Sequence, residues 1–564
     1  MEALDWLVIG VFFLALIGII VWVVRQKQND SADYFLGGRD ATWLAIGASI
    51  FASNIGSEHL IGLAGAGASS GMAMAHWEIQ GWMILILGWV FVPFYTRSMV
   101  YTMPEFLERR YNPQSRTILS VISLVSYVLT KVAVTVYAGG LVFQQVFGIK
   151  ELWGIDFFWI AAIGLVVLTA LYTIFGGMKS VLYTSVLQTP ILLLGSLIIL
   201  VLGFKELGGW DEMMRVCGAV TVNDYGDTMT NLIRSNDDAN FPWLGALIGS
   251  AIIGFWYWCT DQFIVQRVLS GKNEMEARRG TIFGAYLKLL PVFLFLIPGM
   301  IAFALHQKYI GAGGEGFLPM LANGTANADA AFPTLVAKLL PAGVKGLVVC
   351  GILAALMSSL ASLFNSSAML FTIDFYKRFK PETPEKKLVG IGQIATIVIV
   401  VLGILWIPIM RSVGDVLYTY LQDVQSVLAP GIAAAFLLGI CWKRTSAQGG
   451  MWGLISGMVI GLTRLGAKVY YSNAGEVADS TFKYLFYDMN WLFFCGWMFL
   501  FCMIVVIVVS LATEAPTAEK IQGLVFGTAT KEQKAATRAS WNHWDIIHTV
   551  IILSITAAFY WYFW

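Results

Sequence analysis

Several charged side chains stand inside long apolar runs of this chain, where a lipid-facing helix has no use for them. Three of these are Glu78, Asp261 and Lys288. A charge at the centre of a bilayer costs at least roughly 2.5–3.5 kcal/mol on insertion scales. We therefore expect each of the three either to serve a function or to belong to a structural ion pair.

Two of the apolar runs are also interrupted by polar residues. One interruption is the segment 53–59, Ser-Asn-Ile-Gly-Ser-Glu-His, and the other is the segment 256–262, Trp-Tyr-Trp-Cys-Thr-Asp-Gln. Backbone groups left without hydrogen bonds cost several kcal/mol in hydrocarbon, so such breaks indicate cavities lined by protein. Asn54 taken alone is equally a helix cap or a ligand.

Small and hydroxylic pairs at helical spacing have a plainer explanation. Gly67 and Gly71 form a GxxxG pattern, and the pairs Ser358-Ser359 and Ser366-Ser367 lie in another apolar run. Taken alone, such patterns are more typical of close helix packing than of a ligand site.

Motifs for enzyme chemistry are missing from the sequence. The six cysteines form no CxxC pair, the five histidines show no HExxH spacing, and no segment fits GxxxxGK[ST]. No pairing of a nucleophile with a base is visible either. We therefore expect a protein that is not an enzyme and that carries no bound cofactor.

The elements that position these residues are membrane-spanning helices. Hydrophobic residues make up 58% of the 564 residues and charged residues 13%, and the mean hydropathy is +0.72. A span needs about 20 apolar residues. We predict an all-α integral membrane protein with 14 transmembrane helices, near 3–24, 45–71, 76–98, 117–147, 154–177, 181–203, 241–266, 280–306, 333–376, 388–410, 414–441, 447–470, 487–513 and 545–563.

The distribution of positive charge predicts the orientation. The 36 Lys and Arg nearly balance 35 Asp and Glu, so nothing favours a nucleic-acid partner. Loops and span ends after the odd-numbered spans hold 23 of the 36, the other loops hold 11, and Lys131 and Lys288 lie within spans. Because cytoplasmic loops retain positive charge, we predict that both termini are on the outer side. The stretch 514–542 is then a cytoplasmic linker.

The two interrupted spans, the second and the seventh, stand at corresponding positions of spans 2–6 and 7–11. Paired broken helices in two halves indicate an inverted-repeat secondary transporter with its site near the membrane midplane. We predict one transporter domain over 1–564, with repeats at 45–203 and 241–441 and peripheral spans in 1–30 and 447–564.

Five motifs carry a resemblance to a known family. Over about residues 30–510 the chain closely resembles the sodium/glucose cotransporters of the solute:sodium symporter family. That family has 14 spans with external termini, and the resemblance implies a five-plus-five inverted repeat of the amino-acid/sodium symporter type. The motifs are Ser49-Ile-Phe-Ala-Ser-Asn-Ile-Gly-Ser57, Trp256-Tyr-Trp-Cys-Thr-Asp-Gln-Phe-Ile-Val-Gln-Arg267, Tyr286-Leu-Lys288, Met357-Ser-Ser-Leu-Ala-Ser-Leu-Phe-Asn-Ser366 and Trp442-Lys-Arg444.

The resemblance implies a sodium ion between the second and ninth spans. A hard cation prefers oxygen ligands, and an unwound helix frees carbonyls that a continuous helix would use. Ser185 stands where many relatives have Asp, and Ala361 where two-sodium members have Thr, so we expect one sodium per solute. The implied ligands are the carbonyls of Ala52, Ile55 and Ala355 and the hydroxyls of Ser358 and Ser359.

The resemblance also implies a sugar site and its gates. A neutral polyol needs groups that donate and accept hydrogen bonds around an aromatic platform. Gly254 and Ile79 depart from the usual family residues, which leaves the particular sugar open. The implied sugar ligands are Asn54, His59, Glu78, Lys288 and Gln422, with Tyr257 as inner gate, Trp258 beside it, and Leu63, Trp77 and Tyr418 as outer cover. An empty site would let Glu78 and Lys288 neutralise one another.

The resulting hypothesis is sodium-coupled symport of a glucose- or galactose-like monosaccharide across the plasma (inner) membrane. The expected partners are sodium, a neutral sugar or polyol and the lipid bilayer. Two alternatives stay open: symport of myo-inositol or another polyol, and a sodium-conducting sugar sensor. Gln422, a neutral residue that matches transporting relatives, mildly favours transport.

Overall fold

A computed structural model describes residues 1–26, 30–56, 58–321, 324–410, 417–473 and 478–564. Helices dominate this part of the chain. The sheet found in it is one antiparallel pair, Glu151–Leu152 with Ile155–Asp156. Trp153 and Gly154 both have positive φ in the connecting turn, as a two-residue hairpin of this twist requires.

Short π-helical and 3₁₀ turns join many of the helices in the N-terminal part. The π-helical segments there are Glu58–Leu63, Leu87–Phe91 and Tyr127–Val132, and the 3₁₀ turns are Gly37–Arg39 and Gly71–Met74. The α-helices are Ala3–Val24, Ser31–Leu36, Trp43–Asn54, Ala64–Ser70, Ala75–Glu78, Gly81–Ile86, Val92–Ser98, Met103–Arg110, Pro113–Ser126, Ala133–Phe147, Phe157–Leu207 and Trp210–Gly218.

The C-terminal part has the same character. Its π-helical segments are Phe255–Thr260, Val292–Leu296, Leu370–Tyr376 and Tyr484–Asp488, with a 3₁₀ turn at Ala328–Ala330. The α-helices are Trp243–Gly254, Gln262–Leu269, Glu274–Lys288, Ile297–Gly311, Ala331–Leu339, Val344–Met369, Lys377–Phe379, Glu385–Met410, Leu417–Cys441, Ala447–Asn473, Thr481–Lys483, Trp491–Ala512, Ala518–Ile521, Lys531–Ala539 and His543–Tyr562.

The spans only partly match the predicted list. Ten helical stretches of the described residues are long and apolar enough to cross a membrane, and Trp43–Asn54 and Ala133–Gln144 are shorter apolar helices. Some stretches join two predicted runs, and Ala447–Asn473, over the run 447–470, is not among the ten. The all-α, multi-span architecture is confirmed, while the number 14 stays a prediction.

One glycine divides the longest helix. Phe157–Leu207 has 51 residues, and at about 1.5 Å per residue a straight helix of that length would far exceed a bilayer of about 30 Å. At Gly177 the chain adopts φ 52° and ψ −147°, outside the helical region. A Cβ there would overlap the Tyr34 carbonyl, so only glycine fits. The turn lies between the predicted runs 154–177 and 181–203.

Both helices that were predicted to be interrupted are broken. Trp43–Asn54 stops at Ile55, which is extended with φ −80° and ψ 106°. Trp243–Gly254 passes through a π-helical segment and stops at Asp261, extended with φ −76° and ψ 128°. Each break falls on the polar segment that predicted it.

The first broken helix lies at the centre of the bundle. Trp43–Asn54 packs against Glu274–Lys288, Phe157–Leu207 and Val344–Met369. An added Cβ on Gly47 would lie 2.9 Å from the Gly280 carbonyl oxygen, so the two backbones approach closely. This packing brings the break at Ile55 beside the helices that carry Lys288 and the serine pair.

Candidate functional site

The break after Asn54 leaves backbone oxygens without helical partners. The Gly56 carbonyl accepts from the amides of His59 and Leu60 at 3.1 and 3.3 Å. Among the described residues, no backbone amide donates to the carbonyls of Ala52 and Ile55. Free carbonyls next to a buried polar surface are suitable ligands for a hard cation.

The serine pair of helix Val344–Met369 faces this break. Ser358 and Ser359 are both buried. A Cβ added to Gly56 would lie 3.1 Å from the Ser359 hydroxyl oxygen, and the hydroxyls of Ser358 and Ser185 are 3.3 Å apart. Ala355, the remaining predicted ligand, is buried one turn earlier. The structure therefore places the Ser359 hydroxyl next to the helix break and pairs the Ser358 hydroxyl with that of Ser185.

Glu78 and Lys288 form the ion pair that was expected. The Lys288 ammonium donates to Glu78 Oε2 at 2.6 Å and to Asn54 Oδ1 at 3.1 Å. His59 Nε2 lies 3.3 Å from Glu78 Oε2. The amide nitrogen of Asn54 donates to the Tyr257 hydroxyl at 3.1 Å. Five predicted site residues thus form one buried network.

Trp258 and Gln80 form a second wall beside this network. Trp258 Nε1 donates to Gln80 Oε1 at 3.2 Å, and Gln80 Nε2 donates to the Ser250 carbonyl at 2.8 Å. A Cβ on Gly254 would lie 2.5 Å from Gln80 Oε1, so the glycine makes room for the amide. Sequence reasoning missed Gln80, although a polar residue two positions after Glu78 in an apolar run was a usable signal.

A cavity of about 60 Å³ joins these groups. It is small beside the roughly 300–1,000 Å³ of typical ligand pockets, because the polar side chains are paired with one another. Leu63 is buried but does not border it, and the Tyr418 side chain lies outside the described residues. The lining includes the predicted residues Asn54, His59, Trp77, Glu78, Tyr257, Trp258, Lys288, Ser359 and Gln422, together with Glu58, Gln80, Lys131 and Gln425.

Gln422 presents an unused acceptor to the cavity. Its side chain is buried, and its Oε1 has no hydrogen-bond partner among the described residues. Buried polar atoms are nearly always hydrogen-bonded in proteins. An orphaned amide oxygen at the cavity wall is therefore suited to a ligand hydroxyl.

A second ion pair lies beside the Tyr257 ring. The Lys131 ammonium is 2.5 Å from Asp261 Oδ2, and the Tyr127 hydroxyl donates to Oδ1 of the same carboxylate. Lys131 Nζ also lies 4.8 Å from the centre of the Tyr257 ring and 4.7 Å from that of Phe263. Asp261, a charged residue inside a predicted span, therefore belongs to a structural ion pair with Lys131. The sequence did not identify this partner because the two residues are distant in the chain.

The predicted outer cover includes an aromatic stack. The rings of Trp77 and Trp491 are 5.5 Å apart and inclined by 22°, and Phe241 meets Trp77 at 6.2 Å. Trp491 begins the helix Trp491–Ala512, which lies outside both predicted repeats. Sequence reasoning named Trp77 but missed the two rings that hold it.

The sequence has clear relatives. The profile of the family described as Sodium:solute symporter family matches residues 34–457. Sodium/myo-inositol cotransporter 2 of Mus musculus is 37% identical over 542 residues, which are 94% of this chain and 80% of that protein. Sodium/glucose cotransporter 4 of Danio rerio is 36% identical over 537 residues, 92% of this chain and 80% of that protein.

A solved structure shares the architecture. It is the substrate-bound outward-open state of a Na⁺-coupled sialic acid symporter, which matches with a TM-score of 0.72 at 22% sequence identity. The match covers 92% of this chain and 99% of that chain. At this identity the likeness concerns the fold alone.

Proposed function

The chain belongs to the sodium:solute symporter family and is a sodium-coupled secondary active transporter rather than an enzyme, and on that premise we propose that its solute is a neutral monosaccharide of the glucose or galactose type. One observation carries the proposal. The buried residues Lys288, Glu78 and Asn54 and the half-buried Tyr257 form a continuous chain of donors and acceptors at a shared cavity.

This chain of groups suits a ring with several hydroxyls. A hydroxyl both donates and accepts, so a carboxylate, an ammonium and two amides can each find a partner on the same solute. The solute would take over hydrogen bonds that the side chains now make with one another. Tyr257 and Trp258, whose rings are 4.9 Å apart at 85°, offer apolar faces for the carbon skeleton. Gln422 would add its free acceptor.

The coupling ion would bind beside this site. We assign sodium to the carbonyls of Ala52, Ile55 and Ala355 and the hydroxyls of Ser358 and Ser359. The unpartnered carbonyls at the break and the buried serine pair support this assignment. Because both the ion and the solute would contact the same broken helix, binding of one changes the conformation offered to the other.

Transport would follow alternating access. Sodium and solute would enter from outside, Trp77 with Leu63 would close above them, and rocking of the repeats 45–203 and 241–441 would clear Tyr257 from an inward exit. We place the protein in the plasma (inner) membrane with both termini on the outer side, the orientation that the distribution of Lys and Arg predicts.

myo-Inositol is the second candidate solute. Relatives covering 94% of this chain are named sodium/myo-inositol cotransporters. A cyclitol offers the same array of hydroxyls as a hexose but has no ring oxygen. The hydrogen-bonding groups of the polar network would suit the hydroxyls of either compound.

The decisive test is uptake of a labelled panel of glucose, galactose, myo-inositol and mannitol into proteoliposomes, with and without an inward sodium gradient. We expect sodium-dependent accumulation of glucose or galactose, whereas accumulation of myo-inositol alone would favour the second candidate. Sodium currents without accumulation would identify a sensor, and uptake unaffected by sodium would refute the coupling.

A further inference from the structure

Glu58 is a carboxylate at the cavity to which the proposed function gives no role. It begins the segment Glu58–Leu63, three residues after the break at Ile55. Its side chain is partly buried and lines the same cavity as Asn54 and Ser359. A carboxylate in a membrane-embedded cavity is costly unless a positive charge compensates it.

The charges around the cavity do not balance. Lys288 pairs with Glu78 at 2.6 Å, and Lys131 pairs with Asp261 at 2.5 Å. Within the described part of the chain, no basic group lies within 4.0 Å of the Glu58 carboxylate. Three carboxylates, those of Glu58, Glu78 and Asp261, therefore stand against two lysines, and Glu58 is the carboxylate without a lysine partner among the described residues.

The Glu58 carboxylate faces the proposed sodium site. A Cβ placed on Gly56 would lie 2.5 Å from Glu58 Oε2 and 3.1 Å from the Ser359 hydroxyl oxygen. The two oxygens therefore border the same small space, beside the carbonyls that the broken helix leaves free. Gly56 keeps that space open, since any side chain would fill it.

We propose that Glu58 is the counter-charge of the coupling sodium ion. The inference rests on the proposed sodium site and deepens it. Attraction between unit charges is strong where water is excluded, so the carboxylate raises the affinity of a cation that the neutral oxygens alone would hold weakly. A bound sodium balances this carboxylate before the neutral solute enters the cavity.

Sodium binding without solute tests the role directly. The full-length protein, purified in detergent, is melted at increasing sodium chloride with choline chloride holding the ionic strength constant. We expect wild type to be stabilised by sodium. Glu58→Gln should need at least about tenfold more sodium for half of the stabilisation, a change of about 1.4 kcal/mol in binding free energy. Glu58→Asp, which keeps the charge, should stay within about threefold of wild type.

The controls separate this inference from the sodium site itself. Glu212→Gln removes an acid from a loop helix and should bind sodium like wild type. A sodium response of Glu58→Gln equal to that of wild type would overturn the role of Glu58 alone. A wild type that sodium does not stabilise would overturn the sodium site and the inference together. If Glu58→Gln does not fold, Glu58→Ser is measured in its place, with the same tenfold expectation.

Discussion

At the scale of single residues, the variant Ser359→Ala tests whether the Ser359 hydroxyl binds sodium or only packs against its neighbours. Ser359→Ala should raise the sodium concentration for half-maximal uptake severalfold while the protein still folds, because one oxygen ligand is lost and no volume is added. Sodium activation of uptake in vesicles is the measurement.

Ser367 provides a matched control for that change. It is a buried serine on the same helix, and its hydroxyl has no hydrogen-bond partner among the described residues. Ser367→Ala should leave sodium activation unchanged. Equal behaviour of the two variants would mean that Ser359 only packs.

Gln422 offers the corresponding test for the solute. A net hydrogen bond is worth about 0.5–1.5 kcal/mol, so Gln422→Ala should weaken solute affinity by roughly 2- to 12-fold. Glu78→Ala should cost more, because it also leaves the Lys288 ammonium buried without its carboxylate. Concentration dependence of uptake measures both. Wild-type affinity in either variant would remove that residue from the solute site.

At the scale of elements, the pair Lys131–Asp261 joins the π-helical segment Tyr127–Val132 to the second broken helix. Removing one partner of a buried ion pair costs about 3–5 kcal/mol, because the other charge stays buried. Lys131→Met should therefore lower the melting temperature strongly. The double variant Lys131→Met with Asp261→Asn should recover much of the loss, since Asn keeps an acceptor for Tyr127. A double variant as unstable as the sum of both single changes would argue against a paired role.

Asp329, in the turn Ala328–Ala330, should make the stability of the folded protein depend on pH. Burial raises the pKa of Asp329 from 3.8 to about 6, where it packs against Gly65 in the outer half of the first broken helix. With a folded-state pKa above the unfolded one, the stabilisation is complete below about pH 4 and is lost as pH rises through 6. Asp329→Asn should remove this loss, at most about 3 kcal/mol. Melting temperatures between pH 5 and pH 8 would show it; parallel curves for variant and wild type would contradict it.

Polar residues within apolar runs predicted the two broken helices correctly, because a break is a local property that its own sequence must allow. The turn at Gly177, where an unusual backbone conformation demands glycine, was predicted only as the boundary between the runs 154–177 and 181–203. The partners of Trp77 and of Asp261 come from distant segments, so no local pattern specified them. The number of spans stays a prediction for a related reason. A single assigned helix such as Phe157–Leu207 covers two predicted runs, with only the turn at Gly177 between them.

At the scale of the whole molecule, we predict one sodium per solute, because a single carboxylate at the cavity, Glu58, has no lysine partner among the described residues. Ser185 offers only a hydroxyl beside Ser358, so no second carboxylate supports another ion there. One charge crossing 100 mV yields about 2.3 kcal/mol, and a tenfold sodium gradient about 1.4 kcal/mol. The resulting accumulation limit is roughly 500-fold.

The measurement is the solute ratio at zero net flux as the sodium ratio is varied at fixed voltage. We expect a logarithmic slope of one. A slope of two would require a second ion site and would contradict the interpretation of Ser185.

The stack of Trp77 on Trp491 ties the proposed roof of the site to a helix outside the repeated core. A core without that helix would keep the proposed ligands for sodium and polyol, yet the Trp77 indole would lose the ring that it stacks on. Such a protein would still bind sodium and solute, but it would also carry sodium across the membrane in cycles without solute. The peripheral helix would then set the efficiency with which the gradient is used.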